Sequence, residues 1–160
     1  MRLLTKSRFK LGLECPNKLF YTKKKEYANQ KNDDPFLEAL ANGGFQVEEL
    51  ARLHYPEGIL IEDNRSHGSY DYAEKVQETN KLLLKENVTI FEAAFQFENL
   101  FIRVDILGKK GNQINLIEVK SKSFNSSDCE YEFLGKRGGL EKSWAPYLFD
   151  VAFQKYVIEK

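Results

Sequence analysis

The chain has 160 residues, 42% of them hydrophobic and 30% charged, which is the composition of one globular domain and excludes a disordered chain. No apolar run nears the roughly 20 residues of a membrane span, and the start MRLLTKSRFK lacks the apolar stretch of a signal peptide, so a cytoplasmic protein with no membrane association is expected. Bases and acids number 24 each, yet residues 1–31 hold nine bases against two acids, residues 32–100 five against fourteen, and residues 101–160 ten against eight. Solvated helix faces produce such asymmetry, and it also accommodates an anionic partner such as DNA without a basic overall charge. With only Cys15 and Cys129 present, there is no disulfide framework and no all-cysteine metal site.

In chain order, SRFKLGLECPNKLFY spaces Phe9, Leu13, Pro16 and Phe20 as two short helical pieces broken near Pro16, the proline opening the second. Asp33 or Asp34 is placed to cap a helix beginning at Pro35. Gly43-Gly44 is expected to interrupt it before a second run, FQVEELARLH, with Val47, Leu50, Ala51 and a packed His54 on one face, ending ahead of Pro56. A loop with a short strand at GILIE follows, and His67 reads as loop. YDYAEKVQETNKLLLKEN has helical period, with Lys85 near its end suiting the helix dipole. The period then falls to two, and TIFEAAFQF, LFIRVDIL and INLIEVKS form an antiparallel meander of three strands. The chain closes on an apolar helix, WAPYLFDVAFQKYVIEK, whose Trp144 and aromatic neighbours read as core. That helix has no stop signal, which points to a single domain over 1–160 that is the N-terminal piece of a longer protein.

The hairpin FIRVDILGKKGNQINLIEVKS places ionisable residues where apolar ones are expected. Alternation puts Arg103 with Asp105 on one strand face and Glu118 with Lys120 on the next. If Gly111-Asn112 is the turn, paired residue numbers total 223 and Asp105 lies opposite Glu118. A turn at Lys110-Gly111 would shift every pair by two. Opposed carboxylates repel unless something compensates, and Mg²⁺ or Mn²⁺ would do so, with Lys120 near a water or phosphate oxygen. An ordinary exposed sheet face, with Glu118 paired to Lys120 or Arg103, has the same alternation.

Asp105 followed by Glu118-Val119-Lys120 resembles the D…(D/E)-x-K signature of the PD-(D/E)XK nuclease superfamily. SRFKLGLECPNKLFY is similar to the opening of its RecB-type and CRISPR-associated exonuclease branch, including Cys15-Pro16. GGFQVEELAR resembles the early helix bearing a metal ligand, IFEAAF and FIRVDIL the strands before the active site, and the helix around Gln154 the Gln-bearing helix. The resemblance is nearest to an uncharacterised bacterial branch, a domain of unknown function. It implies an α/β restriction-endonuclease-like core with N-terminal helices, a mixed sheet and a C-terminal helix.

The activity implied is metal-dependent hydrolysis of DNA. Asp105, Glu118 and the Val119 carbonyl would bind Mg²⁺ or Mn²⁺ with Glu48 or Glu49, while Lys120 and Gln154 would complete the catalytic set. Arg8, Lys10, Lys18, Lys122, Lys136 and Arg137 are candidate phosphate contacts. The chain departs from the branch in placing Ile158, not Tyr, four residues after Gln154, and in ending on that helix where the family core adds a strand. Its two cysteines cannot build the iron–sulfur cluster of some members, and Cys15 reads as a small buried residue. The alternative function is a non-cleaving nuclease-like module that binds nucleic acid or assembles within a larger protein.

Overall fold

The computed structural model describes residues 2–24, 26–27, 34–62, 71–125, 127, 133–135 and 137–160. Asp33, His67, Cys129 and Lys136, named above, lie outside them. Within the described residues the chain is mixed α/β, with five helices and a five-stranded mixed sheet, and no helix is long and apolar enough to cross a membrane.

The N-terminal strand β1 (Leu4–Thr5) runs straight into α1 (Lys6–Glu14). Cys15 is forced extended by the proline that follows it, at φ −166° and ψ 119°, so the helix stops and α2 (Pro16–Tyr21) starts on Pro16. Cys15 is half-buried at this joint.

Asp34 caps α3 (Pro35–Arg52), its carboxylate accepting from the Phe36 and Leu37 N–H groups. The expected break at Gly43-Gly44 does not occur. Each glycine costs a helix roughly 1 kcal/mol relative to alanine, but neither adopts a left-handed backbone, and the cap with flanking Leu, Ala and Glu carries the helix through. His54 also departs from expectation, because the helix ends at Arg52 and leaves the imidazole exposed rather than packed.

After β2 (Ile59–Leu60), α4 (Tyr72–Leu83) is capped by Asp71, which accepts from the Ala73 and Glu74 N–H groups at 3.0 Å. The meander follows as β3 (Asn87–Phe97), β4 (Leu100–Lys110) and β5 (Gln113–Ile117), and α5 (Ala145–Ile158) closes the chain. The β4–β5 pairs run from Ile106↔Ile117 to Lys110↔Gln113, so the turn is Gly111-Asn112 and the 223 register holds. Gly111 supplies the left-handed φ of 56° that this turn requires.

The sheet order is β1-β4-β3-β2, with β5 also on β4. Parallel β1 covers Leu100 and Phe101 at one end of β4, and antiparallel β5 covers residues 106–110 at the other. Between them, residues 102–105 have no ladder partner on that edge among the described residues. Lys6 is the first residue after β1 and Glu118 the first after β5, so both chain segments depart at the two ends of this window.

The core joins Ile90, Ala93, Ile102, Val104 and Leu107 of the sheet with Phe153 and Val157 of α5. Phe9 of α1 stacks on Phe153 with ring centroids 4.3 Å apart, which fixes α1 against α5. On α4, the buried Thr79 hydroxyl accepts from the Ala94 N–H at 2.8 Å, and Tyr72 meets Phe101 edge-on.

Candidate active site

The window in the β4 edge gathers side chains from four segments. Asp105 comes from β4, Glu118 and Lys120 from the segment leaving β5, Lys6 from the start of α1, and Asp150 and Gln154 from α5. Where β5 parts from β4, the Asp105 Oδ2 takes over the pairing and accepts the Val119 N–H at 2.8 Å. This holds Glu118 beside Asp105, as the register requires.

The Lys6 ammonium lies between the two carboxylates. Its Nζ is 3.4 Å from Asp105 Oδ1 and 3.0 and 3.1 Å from the two Glu118 oxygens. Lys120 also donates to Glu118 and stands 3.8 Å from Asp150. The Gln154 amide donates to Glu118 Oε2 at 2.8 Å and to Asp150 Oδ1 at 3.3 Å. Spaced four apart, Asp150 and Gln154 share one face of α5, and both are fully buried. Lys10 Nζ completes the set at 3.4 Å from Asp150 Oδ2. Three carboxylates thus meet three lysines, which is how a buried acidic group becomes tolerable.

The carboxylates are not equivalent. Burial pushes Glu118 up, but Lys6 and the bonds from Lys120 and Gln154 outweigh it and hold the group at about 2. Asp105 ends above its ordinary range, because burial and the adjacent Glu118 charge outweigh Lys6 and the Val119 N–H. Burial likewise raises Asp150. For Lys6, burial alone would lower the ammonium, while Asp105, Glu118 and Asp150 together hold it above its ordinary value.

A second ionic cluster adjoins the first. The β3–β4 ladder keeps one register from Asn87↔Lys110 to Phe97↔Leu100 but skips Glu92 and Asp105, where Glu92 takes a left-handed φ of 59°. Such a backbone costs a non-glycine residue on the order of 1–3 kcal/mol. The Glu92 carboxylate pairs with Arg103 at 2.8 Å and accepts from Arg52 at 3.2 Å. Arg52 also binds Glu48 and, at 2.9 Å, Glu49. Burial first, then a hydrogen bond with Glu48, pushes Glu92 up to about 7.

The two early glutamates therefore separate. Glu48 turns inward, its side chain 19% exposed, while Glu49 is 70% exposed. Glu48 is bound by Arg52 and hydrogen-bonds Glu92, and among the described residues no three His, Cys, Asp or Glu side chains gather to hold a metal ion. Two carboxylates, Asp105 and Glu118, share one cation position, and their hard oxygens suit Mg²⁺ or Mn²⁺.

The candidate phosphate contacts are dispersed. Arg8 donates to the Leu3 carbonyl at 2.6 Å, Lys10 serves Asp150, and Lys18 pairs with Glu14. Lys122 lies over Trp144, 4.7 Å from the ring centroid, within an aromatic group of Phe124, Phe133 and Tyr147. Arg137 is exposed.

Asp150, Glu92, Lys6 and Arg52 escaped the sequence reading. Asp150 signalled itself as an acid in an apolar helix, four residues before Gln154. Glu92 was recoverable from the turn at Glu98-Asn99, whose register places it opposite Asp105. Lys6 had no local signal, since its place depends on the pairing of β1 with β4. No family model matches the chain, and neither a curated protein nor a solved structure matches it.

Proposed function

We propose that this chain is a metal-dependent deoxyribonuclease built on the PD-(D/E)XK core and working in the cytoplasm. The observation that carries this reading is the meeting of Asp105, Glu118, Lys120 and Gln154 at the gap in the β4 edge. Those four residues come from three segments and match the D…(D/E)-x-K pattern with its Gln-bearing helix.

Asp105, Glu118 and the Val119 carbonyl would hold Mg²⁺ or Mn²⁺. Such an ion, when bound, polarises a phosphoryl oxygen and lowers the pKa of water. The chain's own residues supply the rest. Lys120, braced by Glu118 and Asp150, presents N–H donors to the attacking water or to a phosphate oxygen. Gln154 fixes the Glu118 carboxylate through its amide N–H, and Asp105 is fixed by the Val119 N–H. Lys122 beside Trp144 and the exposed Arg137 offer contacts for the DNA backbone.

The test is cleavage of linear and circular DNA with Mg²⁺ or Mn²⁺ and with chelator. Activity should need the metal and disappear in Asp105→Ala, Glu118→Ala and Lys120→Ala. Cleavage that survives all three substitutions sinks the proposal.

A second reading, a non-cleaving nucleic-acid-binding module within a larger protein, is favoured by one observation. Lys6 already neutralises Asp105 and Glu118. Salt-sensitive DNA binding without turnover under any metal condition would select it.

A further inference from the structure

We propose that Lys6 is a tethered counter-cation that occupies the divalent-metal position and must be displaced for the metal to enter. This rests on the reading of Asp105 and Glu118 as metal ligands. Its Nζ touches the carboxylates of both, at 3.4 Å and at 3.0 and 3.1 Å, so it stands where a cation shared by the two would stand. Two cations cannot share that point, since each is drawn by the same oxygens and repels the other at a few ångströms.

The fold makes displacement feasible. Lys6 opens α1 directly after β1, and its side chain is 22% exposed. A lysine stem is flexible and can move its ammonium outward along the same surface. Lys120 is placed differently, its ammonium held between Glu118 and Asp150. Gln154, fully buried beside Glu118, presents an amide Oε1 with no partner among the described residues.

The experiment measures Mn²⁺ binding directly, by calorimetry and by the resonance of free Mn²⁺, in the wild-type chain and in Lys6→Met, which keeps the stem and removes the charge. Expected is at least a tenfold tighter Mn²⁺ affinity in Lys6→Met. Its melting temperature should be lower without metal and recover more on adding Mn²⁺ than the wild type does. Lys6→Gln provides a second variant should Lys6→Met fold poorly, and combining either with Asp105→Ala should abolish the gain. Equal or weaker Mn²⁺ binding in the Lys6 variants, or no binding in any of them, overturns the assignment. Wild-type DNA cleavage alongside unchanged affinity in the variants would overturn Lys6 alone. Tighter binding in the variants with no cleavage by any form would support Lys6 and remove the nuclease reading.

Discussion

Asp105 Oδ2 accepts the Val119 N–H at 2.8 Å, so a side chain continues the β4–β5 pairing one step past its last backbone pair, Ile106↔Ile117. The same carboxylate that faces Lys6 therefore anchors the segment carrying Glu118 and Lys120. Charge and anchoring can be separated by substitution. Asp105→Asn keeps an acceptor for the Val119 N–H and removes the charge, whereas Asp105→Ala leaves that part-buried donor unpaired, at a cost of about 1–3 kcal/mol. Urea unfolding should place Asp105→Ala well below Asp105→Asn. Both should lose cleavage, and equal stabilities would mean that the Val119 bond contributes nothing to the fold.

Asp150 acts on the site through other residues. Its carboxylate meets Gln154, Lys10 and Lys120 from a fully buried position, which makes it a positioning residue for Lys120 and for the Gln154 amide. Asp150→Asn retains an acceptor for Gln154 and withdraws the charge that braces the two lysines. Outer partners of this kind typically contribute 10–100-fold to metal affinity or activity. A loss of about that size is expected in kcat with little change in KM for DNA, together with a shifted pH profile. An unchanged kcat and pH profile would assign Asp150 to packing only.

The site was legible where local rules decide it. Turn chemistry narrows the β4–β5 register to two, with Gly111-Asn112 or Lys110-Gly111 at the turn, and the observed Gly111-Asn112 turn is the one that brings Asp105 to Glu118. The short strand at Ile59–Leu60, the break at Cys15-Pro16 and the terminal helix followed from proline chemistry and period in the same way. Lys6 lies beyond such rules. Its position depends on a two-residue parallel strand whose partner is 96 residues away, Leu4↔Leu100, and no periodicity encodes that pairing. Gly43-Gly44 misled for the opposite reason, since local propensity argues for a break that Asp34 capping and helix-forming neighbours override. The choice between Glu48 and Glu49 needed the fold, because helical angle does not reveal that Arg52 and Glu92 hold one of them inward.

Gly58 is constrained by the sheet it faces. A Cβ at this position would run into the Phe91 ring, whose residue is 6% exposed and paired with Leu60 across β2 and β3. The ring cannot retreat cheaply into a packed interior, so Gly58→Ala should destabilise by about 1–3 kcal/mol. The pair Gly58→Ala with Phe91→Leu should recover part of that loss. A neutral Gly58→Ala in urea unfolding would show that the ring has room to move.

Acid and neutral pH should act on two different glutamates. Glu118 falls from 4.5 to about 2 in the folded chain, so its contribution is fully present above pH 4.5 and is lost as pH falls toward 2. Glu92 rises from 4.5 to about 7, so the stability linked to its protonated form is fully present below pH 4.5 and is lost as pH rises through 7. Replacing Glu92 by glutamine fixes the neutral form, although it also removes the ion pairs to Arg52 and Arg103 at high pH. Relative to the wild type, Glu92→Gln should therefore gain on the order of 1–3 kcal/mol between pH 4.5 and 8, read as the difference in urea midpoints at the two ends. Glu118→Gln should instead flatten the acid limb below pH 4.5 and leave the neutral limb in place. A wild-type pH profile that Glu92→Gln reproduces over this range would show that Glu92 ionises without cost beside Arg103.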